Sequence, residues 1–189
     1  MIIEVGRNYF DMNETNLNAS AEDGRWGLSR SEKTYSVIGI DAYRLPYIPW
    51  HLTTQEFFLE AKEHLQDDGV VVINVGRTPE DRRLIEALAS TMGTVFPSIH
   101  VVDVPGTFNT IIYATMQETS PENLVYNVLT LEEQGAPEVL LEVINRAISN
   151  LQPAPGPGIV FTDDMAPIEK LTNSIVIEFA LNESLEILR

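Results

Sequence analysis

Residues Tyr35–Phe58 read YSVIGIDAYRLPYIPWHLTTQEFF, and this stretch decides the fold. Its first six residues, YSVIGI, form an apolar-rich run that closes on a carboxylate, Asp41. A strand covered on both faces need not alternate apolar and polar residues, so the run predicts a buried parallel strand. An aromatic loop punctuated by Pro46 and Pro49 follows, then a helix opening at Thr53 or Thr54. In open α/β sheets ligands settle beyond the carboxyl ends of the strands, which makes Asp41 the first candidate for chemistry.

Downstream, Thr54–Leu65 places Phe57, Phe58, Ala61 and Leu65 on one helical face, and Asp67–Gly69 turns the chain. GVVVIN, Gly69–Asn74, is a second buried strand, β-branched nearly throughout. Pro79 suits the first turn of a helix whose apolar stripe is Leu84, Ile85, Leu88 and Met92. Phe96–Val104 and Phe108–Met116, joined by PGT, predict an antiparallel pair that closes one edge of the sheet. Strand, helix, strand, helix and hairpin make an α/β protein with a mainly parallel sheet. Beyond Glu118 two helices are expected, Pro121–Gln134 and Pro137–Leu151, then the structureless run QPAPGPG, a short strand in GIVFTDD, and a helix from Pro167 that packs back on the domain.

Upstream, the spacing of Ile2, Val5, Tyr9 and Met12 favours a helix over a strand. Leu17–Ala19 reads as a brief strand running into EDGRW, where Asp23 and Gly24 put a carboxylate and a glycine at a strand end. A backbone can approach a planar ligand at such a place. A short helix through Trp26, Leu28 and Arg30 then leads to Tyr35.

The chain has 189 residues, ample for a buried core in one domain or in a domain with an appendage. A net charge of −16 argues against nucleic acid, which needs a basic face to neutralise phosphates. The absence of cysteine excludes disulfides and thiolate metal sites. With no apolar run of membrane-spanning length and no leader-like N-terminus, a soluble cytoplasmic protein without a membrane partner is expected.

Together EDGRW, YSVIGIDAYRLPYIPWHLTTQEFF, HLQDDGVVVINV, TVFPSIHVVDVP, FNTIIYAT and TDDMAPIE resemble the spermidine synthase family of polyamine aminopropyltransferases, over most of the chain to about residue 179. The resemblance implies a Rossmann-like methyltransferase fold. It also implies aminopropyl transfer from decarboxylated S-adenosylmethionine, a co-substrate rather than a tightly bound cofactor, to an amine, without a metal. Asp41 matches the aspartate that serves as base or anchor for the attacking amine. Asp23 and Gly24 match the region receiving the adenine, and Tyr43 and Gln55 occupy substrate-side loop and helix positions.

The chain also departs from that family. No GxGxxG-like segment or ribose-binding carboxylate occurs, and Leu45 and Pro46 stand near where a second loop aspartate would fall. The expected fold is therefore a truncated Rossmann-like methyltransferase fold with a C-terminal antiparallel hairpin and appended helices. Residues 1–118 would correspond to the C-terminal two-thirds of a catalytic domain and 119–189 to a helical appendage. Three readings follow: an aminopropyltransferase-like enzyme, inactive or active as this chain; a non-catalytic or partner-dependent subunit whose open sheet edge is covered by a second copy or another chain; and an S-adenosylmethionine-dependent methyltransferase.

Each candidate has a plain alternative. Asp41 and Asp23 could simply cap a helix or close a turn, and Asp163 and Asp164 suit the N-terminus of the helix near Pro167 better than a substrate. Tyr43, Tyr47 and Trp50 either form a lid or pack on the sheet edge. His51 sits in the aromatic loop without a second ligand at metal spacing.

Overall fold

A computed structural model describes residues 2–43, 48–153 and 155–187. Tyr47, Leu45 and Pro46 lie outside them. The chain forms two compact units, Met1–Ser31 and Glu32–Arg189.

The first unit carries α1 (Ile2–Tyr9) and α2 (Gly24–Ser29). The helical spacing of Ile2, Val5 and Tyr9 is realised, but all three are exposed and α1 buries no residue. The turn after α1 closes on the Gly6 carbonyl, which accepts from the amides of Phe10 and Met12. Leu17–Ala19, expected as a brief strand, is irregular, and among the described residues no strand pairs with it.

The second unit runs β1 (Tyr35–Ile40), a 3-10 turn (Trp50–Leu52), α3 (Gln55–Glu63), β2 (Leu65–Gly76), α4 (Arg83–Gly93), β3 (Ser98–Asp103), β4 (Asn109–Thr115), α5 (Pro121–Glu133), α6 (Glu138–Ser149), β5 (Leu151–Gln152) and α7 (Ile168–Ile187). Among the described residues the strands make one sheet in the order β1-β2-β4-β3-β5. The sheet is mixed. β1 and β2, the strands leading to residues 41 and 74, are parallel neighbours, and the remaining pairings are antiparallel. The β3–β4 hairpin forms as its sequence predicts, with Gly106 at φ 74° in the tip. Its second strand, β4, lies between β2 and β3, and the edge position falls to the two residues of β5.

Side chains alternate across β2: Val71, Ile73 and Val75 are buried on one face, while Val70, Val72, Asn74 and Gly76 are half-buried on the other. The first face carries the core. α3 contributes Phe57, Phe58 and Ala61, α4 contributes Leu84, Ile85, Leu88 and Met92, and α7 adds Ile168 and Ile175. Full burial of side chains such as Phe58, Ile85 and Leu88 stabilises by roughly 1.5–3 kcal/mol each.

The helix starts differ by residue chemistry. Thr54 caps α3, its hydroxyl accepting from Phe57 N. Pro79, expected in the first helical turn, falls in the loop before α4, because Thr78 and Asp81 hold the intervening turn with side-chain hydrogen bonds to Asp81 N and Arg83 N. The segment after QPAPGPG makes only an isolated bridge, Thr162–Met165, rather than a strand. It is fastened to α4 instead: Gly158 N donates to Ser90 Oγ and Phe161 N to the buried Thr91 Oγ1. Gly158 approaches α4 so closely that a Cβ would lie 2.5 Å from the Glu86 carbonyl carbon.

Candidate active site

The parallel register pairs Ile40 with Ile73, so the next residues, Asp41 and Asn74, stand side by side where β1 ends and its pairing with β2 stops. Asn74 Nδ2 donates to Asp41 Oδ1 at 3.1 Å. Tyr43 turns back over the same residue, its hydroxyl donating to the Asn74 main-chain oxygen at 2.8 Å. One asparagine thus organises a carboxylate and a phenol at the carboxyl end of the parallel pair, the location where open α/β sheets bind ligands.

The orientation of the Asn74 amide follows from its neighbour. Turning it over would set two acceptor oxygens against each other, so the amide nitrogen faces Asp41. Asn74 Oδ1 is then buried without a hydrogen-bond partner among the described residues. Asp41 itself is exposed. Burial, reinforced by the negative charge of Asp41 and partly opposed by a hydrogen bond with the Gly76 backbone, pushes the Tyr43 phenol up to about 12. Tyr43 is therefore a neutral donor at physiological pH, not a base.

A second polar layer fixes the end of β2. Arg82 grips Asp103 with two hydrogen bonds, 2.9 and 3.1 Å, and Thr110 Oγ1 donates to the same carboxylate at 2.7 Å. Arg77 Nε donates to Thr110 Oγ1 at 3.0 Å, and Arg77 N to Phe108 O. Burial works against the charge on Asp103, but the hydrogen bonds from Arg82 and Thr110, with the guanidinium of Arg77 nearby, outweigh it and hold the carboxyl below its usual range. This network ties β2 to β3 and β4 just past Asn74.

The other candidates lie as follows. Gln55 Nε2 donates to Thr94 Oγ1 and Gln55 N to Phe161 O, so its polar groups link α3 to the end of α4 and to the 158–161 segment. Asp23 is the N-cap of α2, accepting from Trp26 N at 3.0 Å, and Gly24 is the first residue of that helix; both belong to the first unit. Trp50 is about half exposed, with His51 edge-on to its ring at 5.8 Å. Asp163, expected at the start of α7, instead accepts from Thr54 Oγ1 at 2.7 Å, while its amide donates to Glu56. Its position is set by the free end of α3. Asn74 and Asp103 were not singled out by sequence reasoning. The available signal for Asn74 was a polar residue following the apolar run Val70–Ile73, just as Asp41 follows Ile40.

Comparison with known proteins places this geometry. Residues 1–127 match the family described as "Spermine/spermidine synthase domain". The chain is 28% identical over 198 aligned residues to a probable polyamine aminopropyl transferase of Bifidobacterium longum, covering 97% of this chain and 44% of that protein. A second relative, the polyamine aminopropyltransferase of Vibrio vulnificus, is 28% identical over 109 residues, 56% of this chain and 36% of its own length. The chain thus spans less than half the length of the curated relatives it matches. Among solved structures, a probable spermidine synthase from Corynebacterium glutamicum superposes with a TM-score of 0.59 at 21% identity, over 87% of this chain and 62% of that one, a likeness of fold. The parallel pair ending in Asp41 and Asn74 and the match over two-thirds of the sequence lead to one conclusion: this chain belongs to the spermine/spermidine synthase family.

Proposed function

We propose that this protein takes part in aminopropyl transfer from decarboxylated S-adenosylmethionine to an amine, with Asp41 as the group that receives the amine. The observation carrying this reading is the exposed Asp41 carboxylate, held by Asn74 at the end of the parallel strand pair. Transfer requires a neutral amine. Its nitrogen lone pair forms a bond to the propyl carbon attached to the sulfonium, the carbon–sulfur bond breaks, and its electrons return to sulfur, leaving the thioether methylthioadenosine. A carboxylate beside the nitrogen first orients the ammonium and then takes its proton, combining positioning with general-base catalysis. In this reading Tyr43 and Gln55 serve the amine side and Asp23 and Gly24 the adenine side. Residues 1–118 supply the catalytic-domain part and 119–189 a helical appendage, in a cytoplasmic protein.

A second reading is a partner-dependent subunit. The outer edge of β1 has no strand paired with it among the described residues, and Val37 is 58% exposed, so a second copy or another chain can add there. Incubating the protein with putrescine and decarboxylated S-adenosylmethionine, then measuring methylthioadenosine, tests the first reading. Product from this chain alone supports it. Product that appears only with an added partner supports the second, and methylation of the amine with S-adenosylmethionine as donor would replace both with a methyltransferase.

A further inference from the structure

On the sheet face opposite the core, the α5–α6 hairpin does not close onto the strands. It leaves a cavity of about 410 Å³ between β2, β3 and β4 below and the two helices above. The space opens to solvent, a cleft rather than a sealed void, and its size lies within the range of small-molecule sites. The floor carries Val70, Val102 and Tyr113, and the roof Leu124, Ile144 and Ala147. Although 21% of the chain is charged, none of the described residues lining the cavity is Asp, Glu, Lys or Arg.

Among the polar side chains of the walls, Thr115, Thr119 and His100 are committed to one another and to Gln117, whereas the Asn127 amide has no hydrogen-bond partner among the described residues. Thr115 Oγ1 donates to Gln117 O at 2.7 Å, so in its 3.0 Å contact with Thr119 Oγ1 the proton comes from Thr119. Thr119 Oγ1, its proton spent, then accepts from His100 Nε2 at 2.8 Å, which assigns the Nε2–H tautomer. Burial lowers the His100 pKa and keeps the ring neutral. Tyr113, which also lines the cavity, has no hydrogen-bond partner for its hydroxyl among the described residues, and burial raises its pKa, so it remains a donor.

We infer that this cavity is a binding site for a small, uncharged, predominantly apolar molecule with one hydrogen-bond acceptor, which takes the Tyr113 hydroxyl. An ammonium, a sulfonium or a carboxylate entering it would lose hydration and meet no opposite charge. The site is therefore distinct in chemistry from the Asp41 cluster, and the inference does not depend on the transferase reading.

The test uses three ring compounds of similar size: acetophenone, which is neutral with one carbonyl acceptor, benzoate and benzylammonium. Each is titrated into the full chain while the methyl resonances of Val70, Val102 and Ile144 are followed by NMR. Acetophenone shifts these methyls saturably, and the two ions bind at least tenfold more weakly. Tyr113→Phe, which keeps the ring, weakens acetophenone about fivefold, the loss expected for one hydrogen bond. Ala147→Trp fills the space and abolishes the shifts; should it unfold the protein, Tyr113→Phe alone decides. Absence of saturable shifts, equal binding of the three compounds, or unchanged affinity in Tyr113→Phe overturns the inference.

Discussion

Asn74 and Asp41 lie just past the last paired residues of two parallel strands and share a 3.1 Å hydrogen bond, so the exposed carboxylate is held by a side chain whose own position is fixed by the pairing of β2 with β4. Under the proposed mechanism, Asp41→Asn preserves the shape but removes the proton acceptor. Methylthioadenosine formation should fall by about 100-fold or more, as for loss of a general base. Because Asp41 is exposed, its thermal unfolding should change by no more than about 0.5 kcal/mol. An unchanged rate would remove Asp41 from the chemistry.

Tyr43 gives a titration test of the same cluster. Its folded-state pKa of about 12 lies above the ordinary 10.0, so the unfolded chain loses the phenol proton first. The stability this group contributes is complete below pH 10 and is lost as the pH rises through about 12. With ring-labelled tyrosine, the Tyr43 resonance should titrate well above the ordinary 10.0, and Asp41→Asn, by deleting the neighbouring negative charge, should move it downward.

Acid should act through the other polar layer. Asp103 is held below its ordinary 3.8, so the unfolded chain takes up a proton there first; stability is present above that value and is lost as the pH falls through the folded-state pKa. His100, lowered from 6.5 by burial, works in the same direction from a higher pH, because unfolding frees it to protonate. Urea midpoints should therefore decline gently below pH 6.5 and steeply below 3.8. Asp103→Asn should flatten the steep part and cost about 2 kcal/mol at neutral pH, leaving Arg82 and Arg77 without their carboxylate.

Gly158 tests the fastening of the C-terminal segment. An added Cβ would meet backbone atoms of α4, 2.5 Å from the Glu86 carbon and 2.6 Å from Ala87 N, and backbone cannot yield as a side-chain tip can. Gly158→Ala should destabilise by about 2 kcal/mol, read as a lower urea midpoint with an unchanged slope. A silent substitution would mean that the 158–161 segment does not press on the helix in solution.

The strands to residues 41 and 74 were legible as apolar runs that stop on a polar residue, but the burial expected of the first does not hold: β1 is an edge strand in which only Ile40 is buried and Val37 is 58% exposed, because what covers a strand's two faces is not written in the strand itself. The joining helix was legible from Thr54 and the spacing of Phe57, Phe58 and Ala61. The partner of Asp41 was not, since an asparagine closing a strand reads as a turn residue until the register puts it beside the carboxylate. Asp103 was hidden for a similar reason: its ligands Arg82 and Thr110 reach it from a loop and a neighbouring strand. Asp163 was misread because the nearest helix N-terminus in sequence, that of α7, is not the one it serves in space. Leu17–Ala19 shows the limit of local reading, as a strand needs a neighbour that three residues cannot specify.

The place of β4 between β2 and β3 bears on how the chain reaches its native state. The hairpin partners β3 and β4 are close in sequence and can zip early, whereas Ile73 and Ile112 must find each other across a helix and a strand. If docking of the hairpin against β2 limits assembly of the sheet, substitutions along that seam should slow refolding more than those at the hairpin tip.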